Sequence, residues 1–349
     1  MNTLDLIRDE MSHAHAGPQM IGGLLVKSGN DWVDEAMSLP DPTLHFHGMI
    51  AEHELTVLFA AAGVGKSILA VQIADEIAQT KDVLYIDLEL TEKQFQKRYT
   101  IEGRRHMFPS RFTRAVLNED DPGAIDIETC VIDSIRAAVE NNIPVVILDN
   151  LSYACRRSES AEEATLLMQQ LRHYVRQFGL TLIVIAHSPK RYYSSPITRN
   201  DLAGSHKLMV AFDAAVAIGE VAEDRRQRYI KQVKVRSAEM VYDTESVMLC
   251  ELSTDEGWLH FIPLKTMSEY SLIKAVDPKV GEVLRLHDEG KSVREIAAIT
   301  GTPRSTVDRW IKTSQANVPD VPTVPSVPPM GQSGQMGQLD SDDIDDLLL

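Results

Sequence analysis

With 349 residues, 44% of them hydrophobic, the chain has material for one large domain with attachments and for a substantial core. Cys130, Cys155 and Cys250 have no paired spacing and support neither a disulfide framework nor a zinc site, and a net charge of −16 argues against coating nucleic acid over the whole surface. No basic-then-apolar leader opens the sequence and no apolar run approaches the roughly 18 residues of a membrane span, so a soluble, cytoplasmic protein without a membrane partner is expected.

Residues 1–45 have weak periodicity and several His, Gly and Pro, and read as a segment that packs on the main domain or on a neighbouring subunit. Nearly continuous apolar runs then predict strands over 55–60, 83–88, 144–149 and 180–186, the kind that parallel sheets bury on both faces. Helical apolar spacing over 67–79, 91–103, 126–141 and 159–178 separates them. Further strands over 213–219, 228–235, 245–251 and 257–262 lie too close together for crossover helices and predict an antiparallel extension of the sheet. The main domain is thus expected over 46–265, with a linker over 266–278.

Residues 279–313 carry seven Lys or Arg against five acids, and residues 314–349 carry six Asp and no base. In the first of these segments Ser292 and Glu295 have the spacing of a capping box, Gly301 suits a tight turn, and Thr302 with Pro303 fits the N-cap and first position of a following helix. In the second, prolines recur from Val318 to Pro329 and GQSGQMGQ follows, a composition too polar and too proline-rich to fold alone.

The stretch AAAGVGKS, Ala60 to Ser67, stands between the run LTVLFA and the helical run ILAVQIADEIA. Strand, glycine loop and helix form the setting in which backbone N–H groups and a helix N-terminus close round nucleotide phosphates. Binding of ATP or GTP follows, with Ala62, Gly63, Val64, Gly65, Lys66, Ser67 and Ile68 as the binding stretch. Lys66 would reach the β and γ phosphates and Ser67 would hold Mg²⁺. Ala60 replaces the usual first glycine, which leaves the loop less free at its entrance. The run PVVILDNLS ends a second strand in Asp149, the place for a carboxylate on the Mg²⁺ hydration shell. Hydrolysis also needs a group that orients or deprotonates water, and Asn150 cannot serve as a base.

In VLYIDLE a strand from Val83 ends at Asp87 and Glu89. This arrangement resembles the RecA-like ATPases, including the hexameric helicases of plasmids and the bacterial replicative helicase, in which the catalytic glutamate follows the second strand. The resemblance extends from about Leu44 to Pro263 and implies that Glu89 is the catalytic carboxylate, with Asp87 as the competitor and a solvated acid as the plain alternative. It implies a γ-phosphate sensor at His187, which ends LIVIAHSPK, although a histidine bonding locally is also open. DLAGSHKLMVAFDAAVAI resembles the segment after the second DNA-binding loop, with Gly204 and Ser205 in its turn. In YIKQVKVRSAE, Lys234 and Arg236 stand on one strand face and resemble finger residues that reach a neighbouring subunit's γ-phosphate, a surface salt bridge being the alternative.

The family resemblance places DNA contacts on loops facing a central channel. Here those loops offer Arg156 and Arg157 after Asp149, and Lys190, Arg191, Tyr192, Tyr193 and Arg199 after His187, against the reading of ordinary solvated loops. Lys279 to Lys312 resembles the C-terminal DNA-binding segment of site-specific resolvases, invertases and many transposases. Arg304, Ser305, Thr306 and Arg309 would then meet bases or phosphates of duplex DNA and Lys312 a phosphate, a protein-docking hairpin being the alternative. The ending LDSDDIDDLLL resembles the acidic, hydrophobic-tipped tails of bacterial single-stranded-DNA-binding proteins, which recruit partner proteins; a solubilising or DNA-excluding tail is the other reading.

The expected fold class is therefore α/β: a RecA-like P-loop ATPase core with a mostly parallel sheet and antiparallel extension, a small all-α helix-turn-helix domain, and a disordered acidic tail. The resemblance implies a homo-oligomeric ring, a hexamer, using ATP and Mg²⁺, with single-stranded DNA on the core and duplex on the helix-turn-helix. Two function classes are open: a helicase or translocase of a plasmid or other mobile element, and a regulatory ATPase that assembles on DNA without unwinding it. A recombinase is a third, against which stands the want of a persuasive N-terminal polymerisation segment.

Overall fold

The computed structural model describes residues 19–118, 126–155, 161–188, 195–202, 206–273 and 278–316. Two compact units divide at Thr43 and Leu44. The first holds a hairpin of β1 (Gln19–Ile21) and β2 (Leu24–Val26) and a helix α1 (Gly29–Met37), whose first turn is capped by the Ser28 side chain accepting from the Asp31 N–H at 3.1 Å. Lys27 stacks on the Trp32 ring with Nζ 4.5 Å from its centroid.

The second unit opens with a hairpin of β3 (Leu44–His45) and β4 (Ile50–Ala51), followed by β5 (Leu55–Ala60), α2 (Lys66–Ala78) and β6 (Val83–Asp87). Next come α3 (Glu92–Arg98), a small hairpin of β7 (Thr100–Ile101) and β8 (Arg104–Arg105), and β9 (Phe112–Val116). The core continues through α4 (Ile127–Glu140), β10 (Val145–Asp149), α5 (Leu151–Ala154), α6 (Ala161–Phe178) and β11 (Thr181–His187). It ends with α7 (His206–Ala211), β12 (Ala214–Glu220), β13 (Gln227–Lys234), β14 (Val247–Ser253) and β15 (His260–Met267).

Nine of these strands form one sheet in the order β15, β14, β13, β12, β5, β11, β10, β6, β9. From β12 to β9 every neighbouring pair is parallel, and from β12 to β15 every pair is antiparallel. The expected parallel sheet with an antiparallel extension is what forms. Alternation along β5 explains the layering: Leu55, Val57 and Phe59 join a core with α4 and α6, while Leu58 and Ala60 join a core with α2 on the other face.

One expected element is corrected and one strand is new. The helix expected over 91–103 stops at Arg98 and gives way to the β7–β8 hairpin, where Glu102 and Gly103 take positive φ values of 49° and 77° that a helix does not allow. The edge strand β9 was not expected at all; it pairs Val83 with Phe112 and Asp87 with Val116.

The C-terminal part folds as three helices, α8 (Pro278–Asp288), α9 (Val293–Thr300) and α10 (Arg304–Ala316), round Val283, Leu284, Leu286, Ile296, Val307 and Ile311. The capping box forms as expected, with the Ser292 side chain accepting from Glu295 N–H and the Glu295 carboxylate accepting from Ser292 N–H at 2.8 Å. Gly301 takes the left-handed turn with φ 63°. The assignment of Thr302 to the N-cap is corrected. The Pro303 carbonyl accepts from Val307 N–H at 3.0 Å, so Pro303 itself caps α10, and the Thr302 hydroxyl is buried without a hydrogen bond. The disordered linker and acidic tail expected over 314–349 begins later than that, because residues 314–316 are the last of α10; residues 317–349 lie outside the described residues.

Candidate active site

The carboxyl ends of the parallel strands carry the site. Ala60 is the last residue of β5, paired in register with His187 of β11, so the alanine at the loop entrance sits in extended backbone where glycine has no advantage. Freedom is required further on: Gly63 and Gly65 have φ of 74° and 111°, and a Cβ on Gly65 would lie 2.9 Å from the Phe261 ring. Lys66, 6% exposed, donates to the Ala61 carbonyl of its own loop at 2.8 Å. Burial pushes its pKa down to about 8, against the opposing charges of Asp149 and Glu89.

Asp149 ends β10 and is fully buried. Its Oδ2 accepts from the Tyr85 hydroxyl at 2.6 Å, and its Oδ1 has no hydrogen-bond partner. Burial pushes its carboxyl up to about 6 although Ser67 and Tyr85 pull it down. A buried carboxylate oxygen left open beside the Ser67 hydroxyl is a donor set for a hard cation such as Mg²⁺, so the residues present fit the ion expected from the sequence.

The two acids at the end of β6 divide their work. Asp87, 2% exposed, accepts from the Glu89 and Leu90 N–H groups at 3.1 and 2.9 Å with Oδ1 and from Arg114 with Oδ2. Arg114 also donates to the Leu90 carbonyl at 2.6 Å and stacks on Phe95. Asp87 is therefore occupied in building the turn, and Glu89 is the acid that the turn presents, exposed, to the site. Asn150 Nδ2 donates to Glu89 Oε2 at 2.5 Å and lies 3.4 Å from His187 Nε2. Burial, then the nearby Lys66 charge, push the His187 pKa down, which keeps the ring neutral. Lys66, Ser67, Glu89, Asp149 and His187 thus converge on one edge.

Lys234 and Arg236 do not join them. Lys234 is level with Ala215, and Ala215 with Val57, about 10 Å along the strands before the loop begins. There Lys234 donates to the Met209 and Phe212 carbonyls, and Arg236 pairs with Asp213 at 2.6 Å. Asp213 also accepts from Arg172 at 3.3 Å and from the Leu55 N–H at 3.1 Å. Arg199 donates to the Val233 carbonyl at 2.9 Å. Arg156, Arg157, Lys190 and Arg191, with Tyr192, Tyr193, Gly204 and Ser205, lie outside the described residues. On α10, Arg304, Ser305 and Arg309 are exposed and Thr306 is half-buried, while the side chain of Lys312 lies outside those described.

The sequence reading missed two supports of the glycine loop, both from the antiparallel extension. Arg228, 3% exposed, donates from Nε to the Val64 carbonyl at 3.1 Å. Gln72 of α2 exchanges two bonds with the Phe261 backbone at 2.8 and 2.9 Å, which seats the Phe261 ring against Gly65.

A glycine loop between a buried parallel strand and a helix, with carboxylates at the ends of neighbouring strands, defines a P-loop nucleotide-hydrolysing domain. Residues 27–192 match the family described as AAA domain, and residues 278–321 match the family described as homeodomain-like domain. The core has the sheet order and glycine loop of a RecA-like P-loop ATPase fold, and residues 27–192 are similar to AAA domains as the C-terminal helices are to homeodomain-like helix-turn-helix domains. No curated protein matches the chain. Among solved structures, a KaiC-like protein from the hyperthermophilic archaeon Pyrococcus horikoshii aligns at 12% identity with a TM-score of 0.46, over 62% of this chain and 93% of that one. No helix among the described residues is long and apolar enough to cross a membrane.

Proposed function

We propose that this ATPase is a Mg²⁺-dependent oligomeric motor on DNA, a helicase or translocase of a plasmid or other mobile element, assembled as a cytoplasmic ring of identical subunits. The observation that carries the reading is the separation of Lys234 and Arg236 from the site of their own chain. Cations on the far edge serve catalysis only if a neighbour presents its nucleotide to them, and a head-to-tail ring supplies that neighbour. In this reading Lys66 holds the β and γ phosphates, Glu89 takes the proton of the attacking water, and His187 senses the γ-phosphate. Mg²⁺, held by Ser67 and Asp149, neutralises charge on the phosphates when bound. Arg156, Arg157, Lys190, Arg191 and Arg199 meet single-stranded DNA, and Arg304, Ser305, Thr306 and Arg309 meet duplex. The acidic tail offers Ile344 and the three terminal leucines to a protein partner.

The three-helix domain favours a second reading, a regulatory ATPase that assembles on a duplex site and unwinds nothing. Steady-state hydrolysis over a range of protein concentrations, with and without single strands, tests the first. A rate per subunit that rises with concentration and jumps with single strands is expected of the motor; slow hydrolysis indifferent to single strands, with no strand separation, would leave the regulator. Deleting 279–313 should spare basal hydrolysis and remove binding to a preferred duplex, measured by anisotropy.

A further inference from the structure

Two arginines share one carboxylate oxygen at the amino edge of the sheet. Asp213, whose side chain is 12% exposed, leads into β12. Its Oδ2 accepts from the Leu55 N–H at 3.1 Å, and its Oδ1 accepts from Arg236 at 2.6 Å and from Arg172 of α6 at 3.3 Å. The two arginines are held differently. Arg172 also donates to the Val210 and Ala211 carbonyls at the end of α7, at 3.4 and 3.2 Å, and its Nε is buried without a hydrogen bond. Lys234 fastens the carbonyls on either side of those two, Met209 and Phe212. Arg236 has no such anchor, and among the described residues its guanidinium bonds Asp213 alone. Glu54, the other buried acid of this edge, does not bond to it.

We infer that Arg172 is a positioning residue for Arg236: it stays on Asp213 as the resident counter-ion, so that Arg236 can leave for a neighbour's phosphate without stranding a buried carboxylate. The inference rests on the reading of Arg236 as a residue that acts on a neighbouring subunit's nucleotide. Taking the last partner from a buried charge is strongly unfavourable, whereas exchanging one partner for another is not. Served by Arg236 alone, Asp213 would hold that arginine back by the whole of the penalty. With Arg172 beside it the carboxylate keeps a charged donor throughout, and the unused Nε of Arg172 is a further donor with which to close on it. The same anchors sort the two cations of β13 and its extension. Lys234 satisfies two carbonyls at the end of α7 that its departure would leave orphaned, so it is a fixed cap. Arg236 is the one that travels.

Arg172→Gln and Arg172→Lys in the full-length chain test this. Both side chains donate hydrogen bonds, and only lysine keeps the charge. Arg172→Gln should lose about tenfold in steady-state hydrolysis, a modest part of what an arginine acting in trans contributes, with nucleotide affinity unchanged. Arg172→Lys should stay within about threefold of wild type, because Asp213 still has a resident cation. Asp213→Asn added to Arg172→Gln keeps an oxygen for the Leu55 N–H, removes the charge that holds Arg236, and should bring the rate back. Equal rates in the two Arg172 variants, or a loss that Asp213→Asn leaves uncorrected, would overturn the handover, since an Arg172 that merely supports the fold gives those results. Arg236→Ala, run in parallel, separates the two ideas. Full turnover there removes the action in trans, whereas an inactive Arg236→Ala beside a fully active Arg172→Gln removes only the handover.

Discussion

The two ends of the parallel strands hold charge in opposite ways. At the carboxyl ends, Asp149 keeps a buried oxygen unpaired, Lys66 reaches only a carbonyl of its own loop, and Glu89 stands exposed. At the amino ends, Lys234 donates to two carbonyls and Arg236 is paired with Asp213, with Glu54 buried close by and its carboxyl pushed up by burial. One edge offers an ammonium to phosphates, a buried carboxylate oxygen to a cation and an exposed carboxylate to water. The other edge holds its two cations on partners within the chain, although both Glu54 carboxylate oxygens are buried there without a hydrogen bond, so any service Arg236 gives to a neighbour's phosphate comes by exchanging Asp213 for that phosphate. Arg236 has a side chain 46% exposed and can leave at little cost to itself, while Asp213, only 12% exposed, keeps Arg172 at 3.3 Å as its remaining partner.

The sharpest way to break this comparison is Arg236→Ala. Trans-acting arginines in other phosphoryl-transfer systems contribute about 10³ to 10⁵ in rate, and a loss of that order is expected in steady-state hydrolysis. Mixing inactive Arg236→Ala with inactive Lys66→Ala should then restore turnover, because Lys66→Ala subunits supply Arg236 to intact loops. A mixture as inactive as its parts would place the two edges in separate functions. Next in size is Glu89→Gln, expected to cut turnover by about 10² to 10⁴ while leaving nucleotide binding intact in a fluorescence titration. Lys66→Ala should instead lose the binding itself.

Asp149 offers a smaller effect of opposite sign. Its carboxyl is raised by burial from 3.8 to about 6. A raised acid stabilises the fold below the unfolded value and loses that contribution as pH rises through the folded value. At pH 7 the nucleotide-free protein therefore carries a buried charge that costs about 3 kcal/mol. Asp149→Asn should melt a few degrees higher than wild type at pH 7, with the difference closing towards pH 4, and should hydrolyse nothing. Equal melting temperatures at pH 7 would mean that the carboxylate edge stores no such penalty.

How much of this edge was legible depended on how local the cause was. LTVLFA, the glycine loop and the run after it form one contiguous strand, loop and helix, so the sequence carried that unit whole. The capping box of α9 was legible for the same reason. Arg228 and Phe261 were not, because they reach the loop from 164 residues beyond Val64 and 189 beyond Gln72, and nothing in local periodicity ties them to it. Strand β9 escaped because only five residues, half-buried at an edge and interrupted by Arg114, carry no continuous apolar run. Asn150 was rightly excluded as a base from its chemistry alone, but its bridge from Glu89 towards His187 exists only once three strand ends are side by side.

The gentlest probe of the open edge is pH acting on Lys66. Burial holds its pKa down to about 8 in the free protein, against the pull of Asp149 and Glu89. Bound phosphates favour the charged ammonium, so binding takes up a proton wherever the free amine has begun to lose one. Nucleotide affinity should accordingly stay level up to about pH 7 and weaken by about tenfold between pH 7 and pH 9. Lys66→Arg stays charged over this range, and its affinity, whatever its absolute value, should be flat. The far edge gives the control: Arg236 lies away from the loop, so Arg236→Ala should keep the wild-type slope. A wild-type profile as flat as that of Lys66→Arg would show that the ammonium is better solvated or better paired than one bond to the Ala61 carbonyl provides, and the contrast between the two edges would then rest on Asp149 and Glu89 alone.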